Sequence, residues 1–132
     1  MAELHVDFVS PEKLLFSGEV DQVDLPGAEG DMGIFAGHAP AVTALRPGIV
    51  TIYRGGEPLP IVVVGGFAEV SPAGLTILAD LAVPRQDFDM ALLAGAIKNA
   101  EEDVGDSTDD TQRDKLVHRL DQLKALQTAL AS

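Results

Sequence analysis

The chain has 132 residues, 46% of them hydrophobic, and a formal net charge of −12 from 21 acids against 9 bases. Length and apolar content support one packed domain, or a small domain with an appendage, and exclude a disordered chain. The acidity removes the basic face that nucleic acid or an anionic membrane surface would need, and zero cysteines exclude a disulfide framework and thiolate metal sites.

Residues 1–84 read as β structure. The start, Met1-Ala2-Glu3-Leu4, lacks the basic and apolar regions of a signal peptide, which predicts a soluble cytoplasmic protein. Leu4, Val6 and Phe8 then alternate with His5, Asp7 and Val9, the period of a half-buried strand. Ser10-Pro11-Glu12 is a turn, residues 14–16 a short strand, and Ser17-Gly18 a second turn. Val20, Val23 and Leu25 do not keep one parity, which predicts a bulge or slip.

The next stretch, residues 25–40, reads L-P-G-A-E-G-D-M-G-I-F-A-G-H-A-P. Gly27, Gly30, Gly33 and Gly37 punctuate Met32, Ile34 and Phe35, with Glu29 and Asp31 between them. It is too apolar for a linker and too rich in glycine for a long regular strand. We read it as a tight corner whose arms belong to a sheet, with Asp31 and His38 at the surface.

Strands at 41–45 and 49–54 flank the turn Arg46-Pro47-Gly48, and Gly55-Gly56 joins the latter to a strand at 59–64 as a hairpin. Pro58 and Pro60 put the start of that second arm on an edge, because proline cannot donate to a ladder. Residues 67–70 and 75–79 make another hairpin across Ser71-Pro72-Ala73-Gly74. About ten short strands at close intervals predict an antiparallel β-sandwich or barrel.

Beyond Pro84 the period becomes helical. Asp87 is the expected N-cap, with Asp89 in the first turn. Leu93, Ile97, Ala100 and Val104 share one face, Gly105 stops the helix, and residues 106–109 form a polar loop. Leu116, Leu120, Leu123, Leu126 and Leu130 give a second amphipathic helix. The expectation is therefore a sandwich domain over 1–84 and an antiparallel αα-hairpin over 85–132. The second helix depends on what its leucines pack against, so we expect the hairpin to be marginal and mobile.

Enzyme chemistry finds little purchase. His38 lies near Asp31 and Glu29, but His5 and His118 fall on a strand and a distant helix, so no metal-ligand set forms. No G-K-[ST] follows the glycines, and no serine sits in a G-x-S-x-G elbow. A contact role for His38 is favoured over catalysis. On the second helix Arg113, Lys115, Arg119 and Lys124 stand out in an acidic chain. They read as solvated charges, or as a basic surface for an acidic partner.

Leu15–Gly18 (L-F-S-G), the whole corner at 25–40, L-R-P-G at 45–48, G-G-F-A-E-V at 65–70 and L-A-D at 78–80 together resemble the epsilon subunit of bacterial F-type ATP synthases, whose mitochondrial counterpart is called delta. The resemblance implies a non-catalytic rotor subunit of the central stalk, peripheral on the cytoplasmic face of the bacterial inner membrane. It implies that Glu29 and Asp31 meet the c-ring and that Ser10 and His38 face the gamma subunit. The helical hairpin would extend towards the alpha and beta subunits and inhibit ATP hydrolysis through Arg113, Lys115, Arg119 and Lys124. A nucleotide motif, [IL]-D-x-x-R-A, survives only as Asp89, because Leu92 stands where the arginine would be. No cofactor is therefore expected, and ATP binding should be weak or absent. The competing reading is a free-standing acidic sandwich that binds a small ligand or acts as an enzyme.

Overall fold

The computed structural model describes residues 3–131. β1 (Leu4–Val9) buries Leu4, Val6 and Phe8 and turns His5, Asp7 and Val9 outward, as its alternation requires. β2 (Leu14–Val20) pairs antiparallel with β1 and runs straight through Ser17 and Gly18, where a turn was expected. The reason is across the strands: the Ser17 hydroxyl donates to Asp7 at 2.6 Å instead of bonding its own backbone. The register irregularity lies beside Val9, which pairs with Leu14 while Phe8 pairs with Phe16.

The chain bends at Asp21, so Val20 ends one strand while Val23 and Leu25 are buried in the next, β3 (Gln22–Gly27). The lost parity is thus a one-residue bend between two strands, where a bulge or slip within one was expected. β4 (Gly30–Ile34) returns along β3 with Gly27 opposite Gly30. β5 (Ala41–Leu45) and β6 (Gly48–Arg54) do not pair with each other; they flank β3, each with a different later strand on its far side, and Arg46-Pro47 carries the chain across.

β6 and β7 (Glu57–Val63) form the expected hairpin over Gly55-Gly56, whose φ angles of 63° and 82° suit the twist of a tight two-residue turn. Pro58 and Pro60 lie where β7 has β6 alone beside it. β10 (Ala82–Pro84) joins its other edge only at Ile61–Val63, past both prolines. β8 (Gly66–Ser71) and β9 (Gly74–Ala79) complete the second hairpin.

The strand order is β10-β7-β6-β3-β5-β8-β9-β1-β2, with β4 on β3. Every pairing is antiparallel except β1 with β9, which is parallel. β2, last in that order, comes back against β6, so the sheet folds over itself as a sandwich. Between its layers lies a core that includes Phe8, Val23, Leu25, Ile34, Val50, Ile52 and Ile77.

A short 3-10 turn, Arg85–Asp87, leads out of the sandwich. Two compact units result, the first ending at Asp87 and the second beginning at Phe88. In the second, α1 (Met90–Asp106) and α2 (Asp110–Ala131) pack together as a helical hairpin across a three-residue link. Asp89, not Asp87, caps α1: its carboxylate accepts the Ala91 N–H at 2.8 Å. Asp109 does the same for α2 through Thr111 at 3.0 Å. Leu93, Ile97 and Ala100 of α1 and Leu123, Leu126 and Leu130 of α2 are buried, while Leu116 and Leu120 are only half-buried.

Candidate functional site

The glycine corner is a hairpin tip. Ala28 and Glu29 make the turn between β3 and β4, both exposed. The turn is tight because Gly27 has no side chain: a Cβ there would stand 2.6 Å from the Gly30 carbonyl oxygen. The tip is fastened at its root to the end of β5. Ala28 N–H donates to the Ala44 carbonyl and Arg46 N–H to the Pro26 carbonyl, each at 2.9 Å. The Arg46 guanidinium donates to both the Gly27 carbonyl and the Asp31 carboxylate. Gly48 lets β6 start close beside β3, since a Cβ there would meet that of Pro26 at 2.9 Å.

Of Asp31 and His38, both expected at the surface, only Asp31 is fully exposed, and it is bound to Arg46; Glu29 is exposed as well. His38 is half-buried; its Nδ1 lies 2.7 Å from the Ala39 carbonyl and its N–H donates to Phe35. Ser10 holds the β1–β2 turn, its N–H on the Lys13 carbonyl at 2.9 Å.

Next to Ser10 the sequence reading missed a surface. On the outward face of β5, β8, β9, β1 and β2, Ala44 stands opposite Phe67, Phe67 opposite Leu78, Leu78 opposite Val9, and Val9 opposite Leu14. Phe67, Leu78 and Leu14 are 57%, 54% and 59% exposed. This apolar row crosses five strands at positions where an outward face is normally polar. The signal was present in Phe67-Ala68 and Ile77-Leu78-Ala79, where apolar residues occupy both parities. It cannot be read as one row without the register.

Nearer the other end of the same face the groups are polar. His5 contacts Glu19 through Nδ1 at 2.8 Å and Asp7 through Nε2 at 3.2 Å. The Glu19 hydrogen bond, opposed by partial desolvation and aided by the Asp7 charge, raises the His5 pKa above its ordinary value. The Ser17 hydroxyl, more than the His5 charge, lowers that of Asp7. On the other layer the charge of Asp24 raises the Tyr53 pKa.

In the helical unit Arg113, Lys115, Arg119 and Lys124 are all exposed. At about 100° per residue Arg113 and Lys124 project within about 20° of each other, while Lys115 and Arg119 lie on roughly the opposite side. The four bases form two pairs and not one stripe. Lys124 also approaches Glu101 of α1, at 3.9 Å. Asp89 is engaged as the α1 cap, and Leu92 is 73% exposed. Among the described residues no group of three or more His, Cys, Asp or Glu converges to hold a metal ion. No helix among them is long and apolar enough to cross a membrane.

Comparison with known proteins places this architecture. The profile described as "ATP synthase, Delta/Epsilon chain, beta-sandwich domain" matches residues 3–85. ATP synthase epsilon chain 1 of Nitrobacter hamburgensis is 53% identical over 130 residues, 98% of this chain and 96% of its own length. The ATP synthase epsilon chain of Parvibaculum lavamentivorans is 54% identical over 128 residues, 96% of this chain and 97% of its own. Among solved structures, a chain of the Euglena gracilis mitochondrial ATP synthase, in an OSCP/F1/c-ring assembly, superposes with a TM-score of 0.81 at 30% identity, covering 98% of this chain and 82% of that one. Sandwich, helical hairpin and relatives that match over nearly their whole length agree: the chain belongs to the delta/epsilon family of ATP synthase subunits.

Proposed function

We infer that this chain, as a rotor subunit of the ATP synthase, fastens the gamma subunit to the c-ring on the cytoplasmic face of a bacterial inner membrane, and does so without catalysis of its own. The apolar row Ala44–Phe67–Leu78–Val9–Leu14 carries this reading. Three large side chains more than half exposed in one line are costly to leave in water and worth about 1 kcal/mol apiece or more when covered. The row ends beside Ser10, so gamma would cover it, with His38 as a further contact. Glu29 and Asp31, on the separate hairpin tip, are the candidates for the c-ring. Acids on a short braced turn can meet polar or basic loops without slack.

The test is to substitute Phe67→Thr and Leu78→Thr together, neutral strand formers at two facing positions. Affinity for gamma should fall at least about tenfold, the equivalent of about 1.4 kcal/mol. Melting should hardly change, because both side chains point outward. A double variant that co-purifies with gamma as well as the wild type would remove this interface. The helical unit is assigned the contacts with the alpha and beta subunits, through Arg113, Lys115, Arg119 and Lys124, and no functional nucleotide site.

A further inference from the structure

We propose that Arg46 is the positioning residue of the hairpin tip: it holds the tip through Gly27 and through one oxygen of Asp31, whose side chain stays exposed, while Glu29 is offered to a partner unpaired. This rests on the reading of the tip as the c-ring contact. β3 and β5 meet at a single residue pair, Gly27 with Leu45. The tip beyond that pair is a lever with a narrow root. At the root two backbone hydrogen bonds cross, Ala28 to Ala44 and Arg46 to Pro26.

Arg46 adds what the backbone lacks. Its guanidinium reaches the last residue of β3, through the Gly27 carbonyl, and β4, through the Asp31 carboxylate. A planar fork with several donors can hold both at once; a lysine ammonium on a flexible stem holds such a geometry less well. One side chain thereby ties both arms of the hairpin to the end of β5. Gly27 and Gly48 allow the approach, since a Cβ on either would intrude on Gly30 or Pro26. The stretches L-P-G at 25–27 and L-R-P-G at 45–48 are two halves of one joint.

The joint divides the labour between the two acids. Asp31 is exposed but paired with Arg46, whereas among the described residues Glu29 has no ion pair and sits at the turn itself. Load applied at Glu29 would pass through the joint into β5 and the layer behind it, so the stiffness of the tip depends on Arg46.

Two measurements on Arg46→Ala and Arg46→Lys test this. The first is amide exchange at Ala28, whose N–H closes the joint, with Phe8 and Ile77 as core references. Arg46→Ala should accelerate Ala28 about tenfold and Arg46→Lys less, with the references unchanged. The second is the number of protons pumped per ATP hydrolysed in membranes carrying the assembled enzyme. It should fall in Arg46→Ala and recover in part in Arg46→Lys, alongside Glu29→Lys as the variant that blocks the contact directly. Unchanged exchange at Ala28, or full coupling in Arg46→Ala when Glu29→Lys uncouples, overturns the role of Arg46. Full coupling in Glu29→Lys overturns the contact reading itself, and with it the role of Arg46 in coupling.

Discussion

His5 shows how much a single register position decides. On β1 it faces Glu19 of β2 and neighbours Asp7, which is opposite Ser17 on one side and Thr76 of β9 on the other; Glu69 of β8 lies one strand further. The folded-state pKa of His5 is raised, so its contribution to stability is complete below the unfolded value, about 6.5, and is lost as pH rises through the folded value. Asp7 behaves oppositely: its pKa is lowered, so its contribution holds above the unfolded value and fades as pH falls through the folded one. The cluster is tightest between those limits, in mildly acidic solution. Replacing His5→Gln should therefore cost stability near pH 5.5 and progressively less towards pH 8.5, read from urea denaturation at several pH values. A pH-independent difference would mean that the ring acts only through packing. H-V-D at 5–7 puts His5 and Asp7 on one face, but not the partners on β2, Glu19 and Ser17, which are a strand pairing away.

At the scale of elements, the start of α1 yields a prediction about nucleotide. Asp89 uses its carboxylate on the Ala91 N–H, and Leu92 points into solvent where a phosphate-binding arginine would stand. Losing a charge-assisted hydrogen bond of about 1.5–3 kcal/mol weakens binding by roughly 10- to 150-fold. Calorimetric titration with MgATP should give no saturable heat at micromolar concentration; a micromolar isotherm would show that other residues replace the arginine. The sequence disclosed the elements themselves well. Strict alternation in β1, the Gly55-Gly56 turn, the edge prolines of β7 and the leucines of α2 each report a local cause. What it hid was non-local. Ser17-Gly18 has turn composition, but the Asp7 carboxylate across the ladder keeps it extended. Asp87 was the expected cap, but the 3-10 turn takes it and the capping falls to Asp89 two residues on. Arg46 looked like part of a Pro-Gly turn until the pairing of Gly27 with Leu45 brought it to Asp31.

At the scale of the whole molecule, the two units divide the proposed work. The apolar row, the hairpin tip and Ser10 all belong to the sandwich, whose core includes Phe8, Val23, Ile52 and Ile77. A chain ending at Asp87 should therefore fold, bind gamma and support ATP-driven proton pumping. The helical unit carries the four exposed bases. Since Arg113 and Lys124 face one side of α2 and Lys115 and Arg119 roughly the other, a single acidic surface can engage only one pair at a time. Lys124 is close to Glu101, which leaves the side with Lys115 and Arg119, a same-sign pair one turn apart, as the better match for an acidic partner. ATP hydrolysis by the assembled head should be faster with the truncated chain than with the full chain. Lys115→Ala with Arg119→Ala should recover more of that difference than Arg113→Ala with Lys124→Ala, and raising the salt concentration should shrink it. Equal rates with full and truncated chains would leave α1 and α2 without an inhibitory role, and equal effects of the two double variants would show that the sidedness of the helix does not govern the contact.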